Sequence, residues 1–151
     1  MARFRYSMQS ILNIKMKMET QAKQEFSAAR AALDEEVRRM AELVARKTVY
    51  ETESARLLSG ALNIREIEEN KRAILCMEDY IVKQKGQIAV AERKLEKARQ
   101  HLQEVMAERK THETLKEKAF EEFLMEEKKQ ESKEVDELTS YTYGQRRNEG
   151  A

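Results

Sequence analysis

Proline and tryptophan are absent from this chain of 151 residues, and glycine stands only at positions 60, 86, 144 and 150. Without such punctuating residues a chain turns rarely, so a fold of many short elements is excluded. No stretch alternates apolar and polar residues as a half-buried strand does. Cys76 is the single cysteine, which rules out an internal disulfide and fits a reducing compartment. Ile11 to Met18 is interrupted by Asn13, Lys15 and Lys17, too polar for a signal peptide or a membrane span. A cytoplasmic setting is expected.

An excess of one charge is missing too. Lys and Arg number 29 against 28 Asp and Glu, a net +1, which lacks the strong positive balance of a nucleic-acid binder. The charge is unevenly spread: residues 1–30 hold 6 basic and 2 acidic residues, and residues 121–140 hold 3 and 8. Charged residues reach 38% of the chain, well above the roughly 25% of a typical globular domain. A chain of this kind suits a few very long helices, each burying one stripe and leaving the rest in water.

Two stripes are legible. In the first segment Met18, Ala22, Phe26, Ala29, Leu33, Val37, Met40 and Val44 follow one another at steps of three and four that repeat every 11 residues. Such a repeat predicts a nearly straight or slightly right-handed seam. In the second segment Ile67, Ile74, Ile81, Ile88, Leu95 and Leu102 recur at every seventh place. Three residues after each stand Asn70, Met77, Gln84, Ala91, Ala98 and Val105, a heptad with one strong row and one small or polar row.

Between the stripes lies Leu58-Ser59-Gly60-Ala61-Leu62-Asn63-Ile64-Arg65-Glu66. Gly60 is expected to end the first helix in the left-handed conformation, and Asn63 with Glu66 to open the second with a capping box. So short a loop makes the helices antiparallel. The expected fold is all-α, a long two-helix antiparallel coiled-coil hairpin over residues 1–140. Its helix 1 spans 8–58, its turn 59–63 and its helix 2 63–140, with a disordered tail at 141–151. The helices would measure roughly 75 Å and 115 Å. Folding about residues 61–62 pairs positions that sum to about 123, placing Met18 opposite Val105 and Phe4 near Ala119, Phe120 and Phe123. Helix 2 would then overhang by about 17 residues. Since each stripe finds its partner within the chain, a monomer is expected.

Sites for chemistry are scarce. The isolated glycines offer no phosphate-binding loop. His101 and His112 lie 11 apart on one helix with no second ligand a turn away, so no metal site is expected. Cys76 has no histidine beside it and reads as a packing residue, as do Met18, Met40 and Met77. Gly86 is a weak point within helix 2 that permits a bend or a close helix approach. A two-helix ribbon has no cavity for a small molecule or cofactor, so the expected work is protein contact rather than catalysis. Two groups stand out for it: Phe4, Tyr6, Phe120 and Phe123 with Arg3 and Arg5 at the terminal end, and Val49, Tyr50, Met77 and Tyr80 near the loop.

The opening Phe4-Arg5-Tyr6-Ser7-Met8-Gln9-Ser10-Ile11-Leu12-Asn13-Ile14-Lys15 resembles the start of FliJ proteins. The Gly60 turn with Glu66 after it, Glu113-Thr114-Leu115 and Glu131-Ser132-Lys133-Glu134-Val135-Asp136-Glu137-Leu138 extend that resemblance along the whole chain. It implies the central stalk of the flagellar type III export ATPase, similar to the coiled coil of the rotary ATPase gamma subunit. A FliJ-like stalk would enter the hexameric ring of the ATPase FliI, promote its assembly, contact the export gate protein FlhA and handle export chaperones. It would work in the cytoplasm against the membrane at the flagellar base. By this reading Arg3, Phe4, Arg5, Tyr6, Phe120 and Phe123 meet the ring, and Val49, Tyr50, Met77 and Tyr80 meet the gate. The polar run Glu69-Asn70-Lys71-Arg72-Ala73 departs from relatives that carry aromatic residues there. The injectisome version of the stalk and a generic coiled-coil tether are the alternatives.

Overall fold

The computed structural model describes residues 2–150 and consists of two helices, α1 (Gln9–Leu58) and α2 (Ile64–Glu149), packed as an all-α hairpin. Leucine, alanine, glutamate, lysine and arginine carry both helices without a break, as their propensities dictate.

The turn uses polar side chains. The Ser59 hydroxyl and amide both donate to the Arg56 carbonyl, at 2.8 Å and 3.2 Å, and close the end of α1. Gly60 does not adopt the expected left-handed conformation, and no described glycine has a positive φ. Ser59 already satisfies a terminal carbonyl, which removes the need for it. Asn63 caps α2 as expected: its side-chain oxygen accepts from the Glu66 amide at 3.4 Å, and its carbonyl accepts from the Ile67 amide at 3.1 Å.

The helix α2 does not stop near 140. It continues through Glu149 and so takes in residues 141–149 of the tail expected to be disordered, while Ala151 lies outside the described residues. Gly144 alone is too weak a breaker without a proline to help it. Gln145 donates to the Tyr141 hydroxyl at 2.9 Å, and Arg146 and Arg147 complement the negative end of the helix dipole.

Two compact units divide the chain, Thr20–Glu104 and Met1–Glu19 with Val105–Ala151. In the first, Asn70 donates to the Tyr50 carbonyl at 3.0 Å, Gln84 to the Glu36 carbonyl at 2.8 Å, and Lys47 meets Glu78 at 3.5 Å. This antiparallel register sets Ala22 and Ala29 at the levels of Leu102 and Leu95, and Phe26 and Leu33 at those of Ala98 and Ala91. Small residues opposite large ones let the backbones stay close without voids. Ala22 and Ala91 are buried, whereas Phe26, Leu33, Leu95 and Leu102 are half-buried.

The seam of α1 corrects the 11-residue reading. Apart from Gln9, Glu35 and Glu53, its less exposed positions are Leu12, Lys15, Glu19, Ala22, Phe26, Ala29, Leu33, Glu36, Met40, Leu43, Lys47, Tyr50, Ser54 and Leu57, a seven-residue repeat. Met18, Val37 and Val44 fall outside it, with Val37 50% and Val44 46% exposed, and Glu19, Glu36 and Leu43 stand in their places. Two packed helices keep step only when both repeat with the same period, and the heptad of α2 is the regular one. Ile67, Ile74, Ile81, Ile88, Leu95 and Leu102 are all half-buried along it.

In the terminal unit Leu12, Glu19 and Val105 are buried. Lys15 pairs with Glu108 at 2.8 Å, and Arg109 pairs with both Glu19 and Glu113. Burial works against the Arg109 charge, but the two carboxylates outweigh it and raise its pKa.

Candidate binding surfaces

At the terminal end the chain preceding α1 brings Phe4 onto α2. Its ring lies edge-on to Phe120 with centroids 5.1 Å apart and tilted against Phe123 at 5.4 Å, while Phe120 and Phe123 stack at 6.5 Å. These separations lie in the favourable range for aromatic pairs. The entry to α1 is tied down where the Gln9 amide donates to the Tyr6 carbonyl at 3.1 Å. Tyr6 is half-buried, Arg3 and Arg5 are exposed, and Phe120 keeps 43% of its surface open. Ala2, Glu121, Phe123, Leu124, Met125, Glu127, Lys128 and Glu131 line a groove beside the cluster. Leu124 and Met125, both exposed, were missed from the sequence because they lie off the heptad. Their adjacency to Phe123 is the signal that would have found them.

The loop-proximal set does not form one surface. Met77 is buried in the seam, and Tyr50 is half-buried there with its carbonyl accepting from Asn70. Val49 and Tyr80 are exposed. Heptad position explains the split, since Tyr50 and Met77 occupy seam places and Val49 and Tyr80 do not. Tyr80 lines a groove with Arg39, Glu42, Leu43, Arg46, Lys83, Gln84 and Gln87. The neighbouring Cys76 pushes the Tyr80 phenol up, and Asp79 at 3.0 Å raises the Lys83 ammonium. Lys83 sits 6.0 Å from the centre of the Tyr80 ring.

Among the described residues no cluster of His, Cys, Asp and Glu could hold a metal ion. No described helix is long and apolar enough to cross a membrane. The half-buried His112 has a buried Nδ1 without a hydrogen-bond partner and faces no ligand set.

The fold is similar to a solved structure of a protein described as a YscO homolog, CT670 from Chlamydia trachomatis, with a TM-score of 0.74 at 22% identity, covering 97% of this chain and 99% of that one. No curated protein matches the chain. The family model for the flagellar FliJ protein matches residues 4–148. A match over nearly every residue, on a two-helix hairpin, makes this chain a member of the flagellar FliJ family.

Proposed function

We propose that this FliJ-family protein is a non-enzymatic component of flagellar type III protein export, a stalk that binds the hexameric export ATPase FliI and promotes its assembly and activity. The aromatic cluster of Phe4, Phe120 and Phe123 with exposed Arg3 and Arg5 carries the reading, because aromatics and arginine dominate interface hot spots. In this proposal the terminal end enters the ring. An antiparallel pair is asymmetric in section, so it meets six equivalent subunits unequally and biases their states in turn. The loop-proximal residues Val49 and Tyr80, the two outward members of their set, contact the export gate protein FlhA. Tyr50 and Met77 would serve it only by holding the seam. Export chaperones are further partners.

The test compares Phe4→Ala/Tyr6→Ala/Phe123→Ala with Val49→Ala/Tyr80→Ala for stimulation of the ATPase from the same genome and for binding to the gate protein. The terminal triple is expected to lose ATPase stimulation and the loop-end pair to lose gate binding. The reverse result overturns the orientation, and no effect of either set overturns the stalk.

A second reading, the injectisome form of the same stalk, draws support from the likeness to the YscO homolog. Stimulation of an injectisome ATPase but not a flagellar one would favour it.

A further inference from the structure

The helix α2 has a second apolar face within Thr20–Glu104, away from the seam. Leu75 is 55% exposed, Val82 66% and Val90 37%, and Cys76 is exposed beside them. The half-buried Ala89 and exposed Gly86 complete the stripe, which steps along one side of the helix. Outward positions before it (Arg65, Glu68, Glu69, Arg72) and after it (Arg93, Glu96, Lys97, Gln100) are polar. Isolated exposed apolar residues are ordinary; a run confined to four turns of an otherwise charged face is not.

Within the stripe Gly86 leaves open space: a side chain built there would meet nothing within 4 Å. The chain itself does not use the gap, and a glycine lets another backbone come close. Asp79 and Arg93 stand seven residues before and after Gly86, on its side of the helix. Turning the helix about an axis through Gly86 therefore places Asp79 against Arg93, Val82 against Val90, and Gly86 against Gly86. Over residues 79–93 the pattern is complementary to its own reverse, the requirement of a two-fold interface; Leu75 and Cys76 would fall against Lys97 and Glu96 and lie outside it. Asp79 already holds Lys83 at 3.0 Å, and a carboxylate has capacity for a second cation.

We infer that the outward face of α2 from Asp79 to Arg93 is a docking surface for a second copy of this chain, antiparallel and centred on Gly86, with reciprocal Asp79–Arg93 ion pairs. The seam of each hairpin stays intact. The inference goes beyond the export reading and does not depend on it. An interface this short belongs to the small, transient class, so association is expected at high protein concentration only.

Sedimentation of the full chain at roughly 100 µM, the range where a weak interface is populated, tests it. The expected result is a concentration-dependent dimer that Val82→Asp and Gly86→Glu convert to monomer. Gly86→Glu improves helix propensity in open space, so a fall in association there cannot come from unfolding. Arg93→Asp, which sets two aspartates face to face, should weaken the dimer at least tenfold. Asp79→Arg/Arg93→Asp should restore it, as only an antiparallel pairing allows. A monomer at every concentration, a dimer indifferent to Val82→Asp and Gly86→Glu, or no rescue by the double exchange overturns the proposal.

Discussion

Arg109 of α2 reaches across to Glu19 of α1, a residue only 7% exposed, and holds Glu113 at 2.6 Å with its other arm. The pair occupies seam positions where an apolar residue would pack. A charge left in a seam after its partner is removed costs more than an exposed one, because solvent replaces the partner poorly. Arg109→Met should therefore lower Tm clearly more than Arg99→Met, since Arg99 pairs with Glu96 on the open face of its own helix. Thermal melts followed by circular dichroism check this. Equal shifts would place Glu19 in water.

Ile81 lies half-buried on the regular row of α2, and Lys83 two residues on is exposed. Ile81→Asp should destabilise the hairpin by at least about 2 kcal/mol, the lower end for truncating a core isoleucine before any cost of the charge. Lys83→Asp should stay within about 0.5 kcal/mol, as surface changes do. Urea melts of the two variants decide whether this row is the seam.

Gly86→Ala should raise stability by up to about 1 kcal/mol, because the site is helical and the new methyl meets nothing. A lower Tm would mean that the helix bends at this glycine.

The hairpin is expected to form within one chain. With Cys76→Ser to remove the natural thiol, cysteines at Met40 and Gln84 stand at one level of the two helices and should crosslink within a chain. Crosslinks chiefly between chains would reveal a swapped dimer.

Three glutamates at the surface, the half-buried Glu35 and Glu53 and the exposed Glu96, are held below their ordinary pKa of 4.5, in each case first by hydrogen bonds from Arg38, Arg56 and Arg99. A depressed carboxylate pKa contributes stability that is complete above 4.5 and is lost as pH falls through the folded-state values. Helicity should thus decline between neutral pH and about pH 3, and high salt should shrink the difference by screening the pairs. A helical signal that grows on acidification at low salt would contradict the assignment.

The sequence by itself determined the helical class, the single turn and the heptad of α2. Proline is absent, Asn63 caps where the stripe begins, and six aliphatic residues recur at intervals of seven. The contact of Phe4 with Phe120 and Phe123 was legible too, because turn position and antiparallel pairing fix which residues share a level. Only the tertiary structure decided which stripe of α1 faces inward. Alone, α1 offers Val37 as a better core residue than Glu36, and Val44 as an equal candidate to Leu43. Beside α2 its period must be seven, and Gln84 supplies Glu36 with a donor at 2.6 Å. The same constraint turned Tyr50 and Met77 inward, leaving Val49 and Tyr80 as the exposed part of the loop-end set. Periodicity within one helix names its candidate faces; the partner helix chooses among them, because packing and hydrogen bonding are satisfied only in pairs of stripes that keep step.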